Sequence, residues 1–165
     1  MREPTYDDAR LALELYDLRR ETELRKARTL IGELSGEPWE KVKPVLDWEH
    51  PENAHFRQVI GYWEMAASFV NRGVLHPDTF LDTCSEGIFT FATLLPHLAK
   101  LRESYSPRVL VQTETMIGRN PAMKERVELI QKSMAAYAER QKAEAEAKTA
   151  AKKPAKSKRL APARR

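Results

Sequence analysis

The sequence predicts an all-α protein, an antiparallel bundle of four to five helices that opens on a long N-terminal helix and ends in a disordered basic tail. Three observations carry that expectation. Apolar residues recur at three- and four-residue steps along almost the whole chain, the spacing of one helix face. Only six of the 165 residues are glycine, and β-branched residues rarely alternate with polar ones, so strands have little support. Proline stands at or near the start of four helical patterns (Pro51, Pro77, Pro107 and Pro121), where its missing N–H is no loss.

The first pattern starts at Thr5, a helix cap, with Asp7 and Asp8 against the positive end of the dipole. Leu13, Tyr16, Leu24, Ala27, Ile31 and Leu34 form one stripe, interrupted at Arg20, with Leu11, Leu15 and Leu18 beside it. Ser35-Gly36 ends it, so an unbroken helix of about 29 residues would be roughly 43 Å long. Residues 36–50 hold two prolines and two tryptophans and read as an ordered connection. A second helix runs from Pro51 to just before Gly73, with Phe56, Val59, Ile60, Trp63, Ala66, Ala67 and Val70 inward. A third opens at Pro77 and is kinked or split at Pro96. A shorter one starts at Ser106-Pro107 and the last at Asn120-Pro121, with Met123, Val127, Ile130, Met134 and Tyr137 as its stripe. Beyond about residue 138 only alanine is left to pack, so that helix should project and fray.

Charge divides the chain. Residues 148–165 carry eight of the 28 basic side chains and no acid, which leaves 20 basic against 24 acidic in residues 1–147. The body, residues 1–147, is therefore net negative and the appendage strongly positive. One cysteine, Cys84, excludes an internal disulfide and a cysteine-rich zinc site. The N-terminus has no apolar run before its first charges, so no leader is expected, and no window is long and apolar enough to span a bilayer. A cytoplasmic location is expected.

The stretches LYDLRRETELRKAR (Leu15–Arg28), YWEMAASFVNRGVL (Tyr62–Leu75) and LLPHLAKLRE (Leu94–Glu103), with the helix around Thr113-Glu114, resemble a family of small all-helical bacterial proteins known only as a domain of unknown function. The resemblance covers about residues 6–119. It implies a helical fold and brings no activity, cofactor or catalytic residue.

Glu52 and His55 form a Glu-x-x-His pair, but a di-iron bundle needs two such pairs and further inward glutamates. His50, His76 and His97 have no motif spacing, so no metal or other cofactor is expected. Glu64, Glu86 and Glu114 interrupt apolar stretches, as do Arg20, Arg102 and Arg119. They read as structural ion pairs that fix which helix meets which, with a buried acid–base cluster as the functional alternative. Cys84 reads as a small core residue. Trp39, Trp48, Tyr62 and Trp63 read as core, with a ligand pocket as the alternative.

Lys148, Lys152, Lys153, Lys156, Lys158, Arg159, Arg164 and Arg165 are the candidate polyanion-binding residues. With no aromatic among them they neutralise phosphates without reading bases. Engagement of all eight gives a log–log salt slope of roughly −7 on duplex DNA, with affinity on the order of 10⁻⁴ to 10⁻⁶ M near physiological salt. The leading functional expectation is a non-enzymatic interaction module, with a protein partner or self-association through the bundle and nucleic acid through the tail. The alternatives are a small enzyme or ligand binder with a Glu and Arg pocket between helices, an adaptor at anionic membrane surfaces, and a tail that only aids solubility.

Overall fold

The computed structural model describes residues 2–151, and those residues are all-helical, with no strand among them. The tail from Lys152 onward lies outside the described residues. The helices are α1 (Tyr6–Leu18), α2 (Thr22–Glu33), a short α3 (Trp39–Val42), α4 (Asn53–Asn71), α5 (Pro77–Thr83), α6 (Ser85–Leu94), α7 (Leu98–Ser104), α8 (Val111–Arg119) and α9 (Pro121–Ala151). Helix α4 lies at the centre, packed most extensively against α8 and α2, while α6 carries the first half of α9.

The long N-terminal helix is not continuous. Thr5 and Asp8 form a reciprocal capping box that starts α1. The buried stripe of α1 is Asp8, Ala12 and Leu15, and the next step of the same spacing is Arg19, itself buried. Glu21 then adopts an extended backbone (φ −56°, ψ 140°), and its carboxylate accepts the Leu24 N–H at 2.8 Å, which opens α2. Because the phase is set by Leu15 and Arg19, Leu13, Tyr16 and Leu18 point outward, with 69 %, 54 % and 54 % of their surface exposed. The apolar spacing alone puts all three on inward stripes, and the structure corrects it.

Helix α4 begins two residues after Pro51 and ends before Gly73, whose φ of +73° is the left-handed cap that glycine supplies. The third predicted helix starts at Pro77 but breaks twice. Cys84 leaves helical geometry (φ −123°, ψ 27°) between α5 and α6, and Pro96 sits in a 3₁₀ turn, Leu95–His97, that separates α6 from α7. The helix expected at Ser106-Pro107 starts later, at Val111, because residues 106–110 form a turn that ends with buried Leu110 in the left-handed region (φ 55°, ψ 27°). Such a conformation is strained for a bulky side chain. Helix α9 starts at Pro121 as predicted, with Asn120 Oδ1 accepting the N–H groups of Ala122 and Met123. Met123 and Val127 are buried, Ala138 is the last half-buried position, and residues 139–149 are exposed. The helix nevertheless continues to Ala151, past Lys148 where the tail was expected to begin.

The core centres on Trp63, 1 % exposed, which meets Tyr62 and Phe80 edge-on at 4.8 and 6.3 Å. Helix α6 approaches it through Gly87. A Cβ there would lie 2.6 Å from Trp63 Cε3, closer than real Cβ atoms approach, and 3.2 Å from Phe80 Cζ, a tight contact. Neither ring has an exposed side into which to retreat. Gly87→Ala should therefore destabilise the fold by about 1–3 kcal/mol, the usual cost of overpacking, read as a lower midpoint in urea unfolding.

Candidate functional site

Four groups of polar side chains are held by the helices, and each has a distinct geometry. At the amino end, Asp8 is 1 % exposed yet fully partnered. It accepts from both terminal nitrogens of Arg2 at 2.5 Å, from the Thr5 N–H and hydroxyl at 2.7 and 2.8 Å, and from the His76 N–H at 2.6 Å. The Arg2 guanidinium and these N–H groups hold the Asp8 carboxyl far below the usual carboxylate range. His76 contributes its ring as well, meeting the Arg2 carbonyl at 2.6 Å and accepting the Asp78 N–H. The N-terminal segment is thereby tied to the loop before α5.

The second group centres on Glu86 of α6. It pairs with Arg28 of α2 and with Arg19 at 3.4 Å, and Arg19 also donates to the Thr83 carbonyl. The Arg19 guanidinium lies over the rings of Tyr16 (5.0 Å) and Trp63 (5.8 Å). Glu86 thus has two arginine partners, neither of them Arg20, which is exposed and 3.7 Å from Asp17. Tyr62 and Cys84 border this group. Burial pushes both the phenol and the thiol above their ordinary values, so Cys84 is protonated and inert as a nucleophile at neutral pH.

Glu64 has no arginine partner among the described residues. Its carboxylate accepts the N–H groups of Gln112 and Thr113 at 2.9 and 2.8 Å and the Thr113 hydroxyl at 2.7 Å. It caps α8 from outside, directly after the strained Leu110, and places a negative charge at the positive end of the helix. Glu114 does meet Arg102, at 2.8 Å, and Arg102 also donates to the Val109 carbonyl, closing the α7–α8 turn. Arg119 is exposed and forms no ion pair among the described residues.

The Glu-x-x-His pair forms the fourth group. His55 Nδ1 faces Glu52 at 2.8 Å and Nε2 faces Glu23 of α2 at 3.2 Å. The carboxylates stand on opposite sides of the ring and do not converge, and no cluster of metal-ligating side chains occurs among the described residues. His50, His76 and His97 are apart, each with its own hydrogen bond. The four aromatics differ: Tyr62 and Trp63 are core, Trp39 packs half-buried against it beside His97 and Lys100, and Trp48 is 71 % exposed with Arg57 over it at 4.0 Å.

Of the eight tail cations, Lys148 stands exposed near the end of α9, and the other seven lie outside the described residues. Along the base of α9 an apolar groove of about 620 Å³ is lined by Phe89, Leu129, Ile130, Met134 and Tyr137.

Residues 4–120 match the model of a domain of unknown function, DUF4760. The chain belongs to that family. No curated protein and no solved structure matches it. The DUF4760 region contains Asp8, the Glu86 group, Glu64 with α8, and the His55 bridge, and it stops where α9 begins.

Sequence reasoning misses Arg19, Arg28 and Asp8 as site residues. The 8-12-15-19 spacing carries a signal for Asp8 and Arg19, because polar residues in phase with a buried stripe must find partners. Arg28 has no such mark.

Removing the carboxylate in Glu64→Ala should cost about 0.5–2 kcal/mol, the range for a lost helix cap, measured by chemical unfolding. A second expectation concerns pH. His55 bridges two carboxylates with both ring nitrogens, which only the imidazolium can do by donating twice. Its pKa is raised above 6.5, first by Glu52 and then by Glu23. The bridge is therefore complete below about pH 6.5 and is lost as pH rises through the higher folded value. The melting-temperature gap between wild type and His55→Gln should narrow between about pH 6 and pH 9, with Glu52 and Glu23 facing the ring and Lys26 of α2 paired with Glu23.

Proposed function

We propose that this DUF4760 protein is a non-enzymatic interaction module in which residues 148–165 engage a polyanion, nucleic acid first, while the helical body serves a protein partner or a second copy in the cytoplasm. The observation that carries the reading is the reach of α9. From Ala138, its last half-buried residue, the helix runs on to Ala151, about 20 Å along its axis. That is about two Debye lengths at 0.1 M salt, a distance over which salt screens most of the attraction between exposed charges.

The charges support the same division. Residues 121–147 hold five basic and five acidic side chains, so α9 is a neutral spacer. The excess of acid lies in residues 1–120, with 15 basic against 19 acidic. A cationic segment joined directly to that surface would partly neutralise itself on it. A neutral helix of that length between the two weakens such self-neutralisation.

Deleting residues 148–165 should leave the helical circular-dichroism spectrum and unfolding midpoint unchanged and abolish duplex DNA binding in a low-salt mobility-shift assay. Deleting residues 139–149, about three turns, should keep seven of the eight cations yet weaken binding by bringing them toward the acidic body. Undiminished binding by the 148–165 deletion defeats the reading. Pelleting with anionic vesicles but not with DNA would assign the segment to membrane surfaces instead.

A further inference from the structure

A second cavity, about 380 Å³, lies between the end of α4, the loop before α5 and the end of α8. Its walls include Val70, Leu75 and Met116, and its polar side chains are Arg2, Asn71, His76, Arg119 and Asn120. None of the residues that line it is acidic, although acids outnumber bases 19 to 15 over residues 1–120. The charged side chains of its lining are thus both arginines, and Asp8 behind the wall balances Arg2, which leaves the charge of Arg119.

The two arginines are not equivalent. Arg2 is clamped by Asp8, its terminal nitrogens each 2.5 Å from a carboxylate oxygen, so its charge is matched and its position fixed. Arg119 ends α8 and has no carboxylate within ion-pair distance among the described residues. A cation at a helix C-terminus is favourable in itself, but that role uses its charge and leaves the five donors of the guanidinium fork open. An Arg fork is shaped for a planar carboxylate. The cavity, about 380 Å³, has room for a short chain or a single ring against its apolar residues, and lies within the range of small-molecule sites.

We infer that this cavity binds a small organic carboxylate, its carboxylate held by Arg119 and its apolar body against Val70, Leu75 and Met116. The described residues that line it all fall between Arg2 and Asn120, so the inference does not rest on the polyanion reading. Amide chemical shifts of the full chain, titrated with benzoate, hexanoate and acetate, test it. Benzoate or hexanoate should shift amides of residues 70–77 and 116–120 along one saturable curve. Acetate, which lacks an apolar body, should bind at least tenfold more weakly. Arg119→Gln should weaken benzoate binding about tenfold or more, as expected when a charge-assisted hydrogen bond is lost, with the unfolding midpoint nearly unchanged. Absent or scattered shifts, equal affinity for acetate and benzoate, or an Arg119→Gln variant that binds as well as wild type would each overturn the inference.

Discussion

Three consecutive residues of α4 organise the fold. Tyr62, Trp63 and Glu64 sweep about 200° around the helix axis, so each faces a different neighbour. The Tyr62 hydroxyl donates to the Leu15 carbonyl in the last turn of α1 at 2.6 Å. Trp63 fills the space left by Gly87 of α6 and touches Phe80 of α5. Glu64 caps α8. The helix at the centre is thus fastened on three sides by a buried hydrogen bond, a close apolar contact and a charge at a helix end. Shape complementarity supplies most of the energy here. The two polar contacts add direction, because each requires one rotation and one register of α4.

Around that centre the ion pairs act as spacers between helices more than as sources of stability. Glu86 has two arginine partners, and the group sits partly out of water, where desolvation offsets much of the Coulomb attraction. Its effect is geometric. Arg19, at the end of α1, and Arg28 of α2 meet the same carboxylate, which fixes both helices against α6 on either side of the turn at Arg20 and Glu21. The same logic holds at Leu110. A strained residue persists because Glu64 satisfies the N–H groups on its C-terminal side and the Arg102–Glu114 pair closes the turn before it.

The helical class, the position of α4 and the starts at Pro77 and Pro121 are legible because spacing and proline are local signals. The breaks at Arg19–Glu21 and Cys84 are not. Residues 11–34 carry two overlapping apolar stripes, and sequence alone does not say which is buried when the deciding contact, Arg19 to Glu86, spans 67 positions. Hence the spacing turns Leu13, Tyr16 and Leu18 inward, whereas the fold exposes them. Glu64 is recognisable as an acid inside an apolar run, but its partner is largely backbone, which no residue type advertises. The Glu52–His55 pair is visible as a spacing. What the spacing does not reveal is that Glu23 arrives from α2 on the far side of the ring, which makes the group a bridge between helices and leaves no shared side for a metal.

The α9 helix is where sequence and structure together say more than either does alone. Composition shows that the cations are segregated, and that fact fits a solubility tail as well as a binding segment. The structure adds distance and continuity. Met123 and Val127 anchor the first turns, then the apolar stripe ends while the helix goes on to Ala151. Past Ala138 every side chain through Thr149 is exposed, and the three acids and three bases among them balance, so this stretch of α9 is held mainly by its own helix hydrogen bonds and hardly by packing.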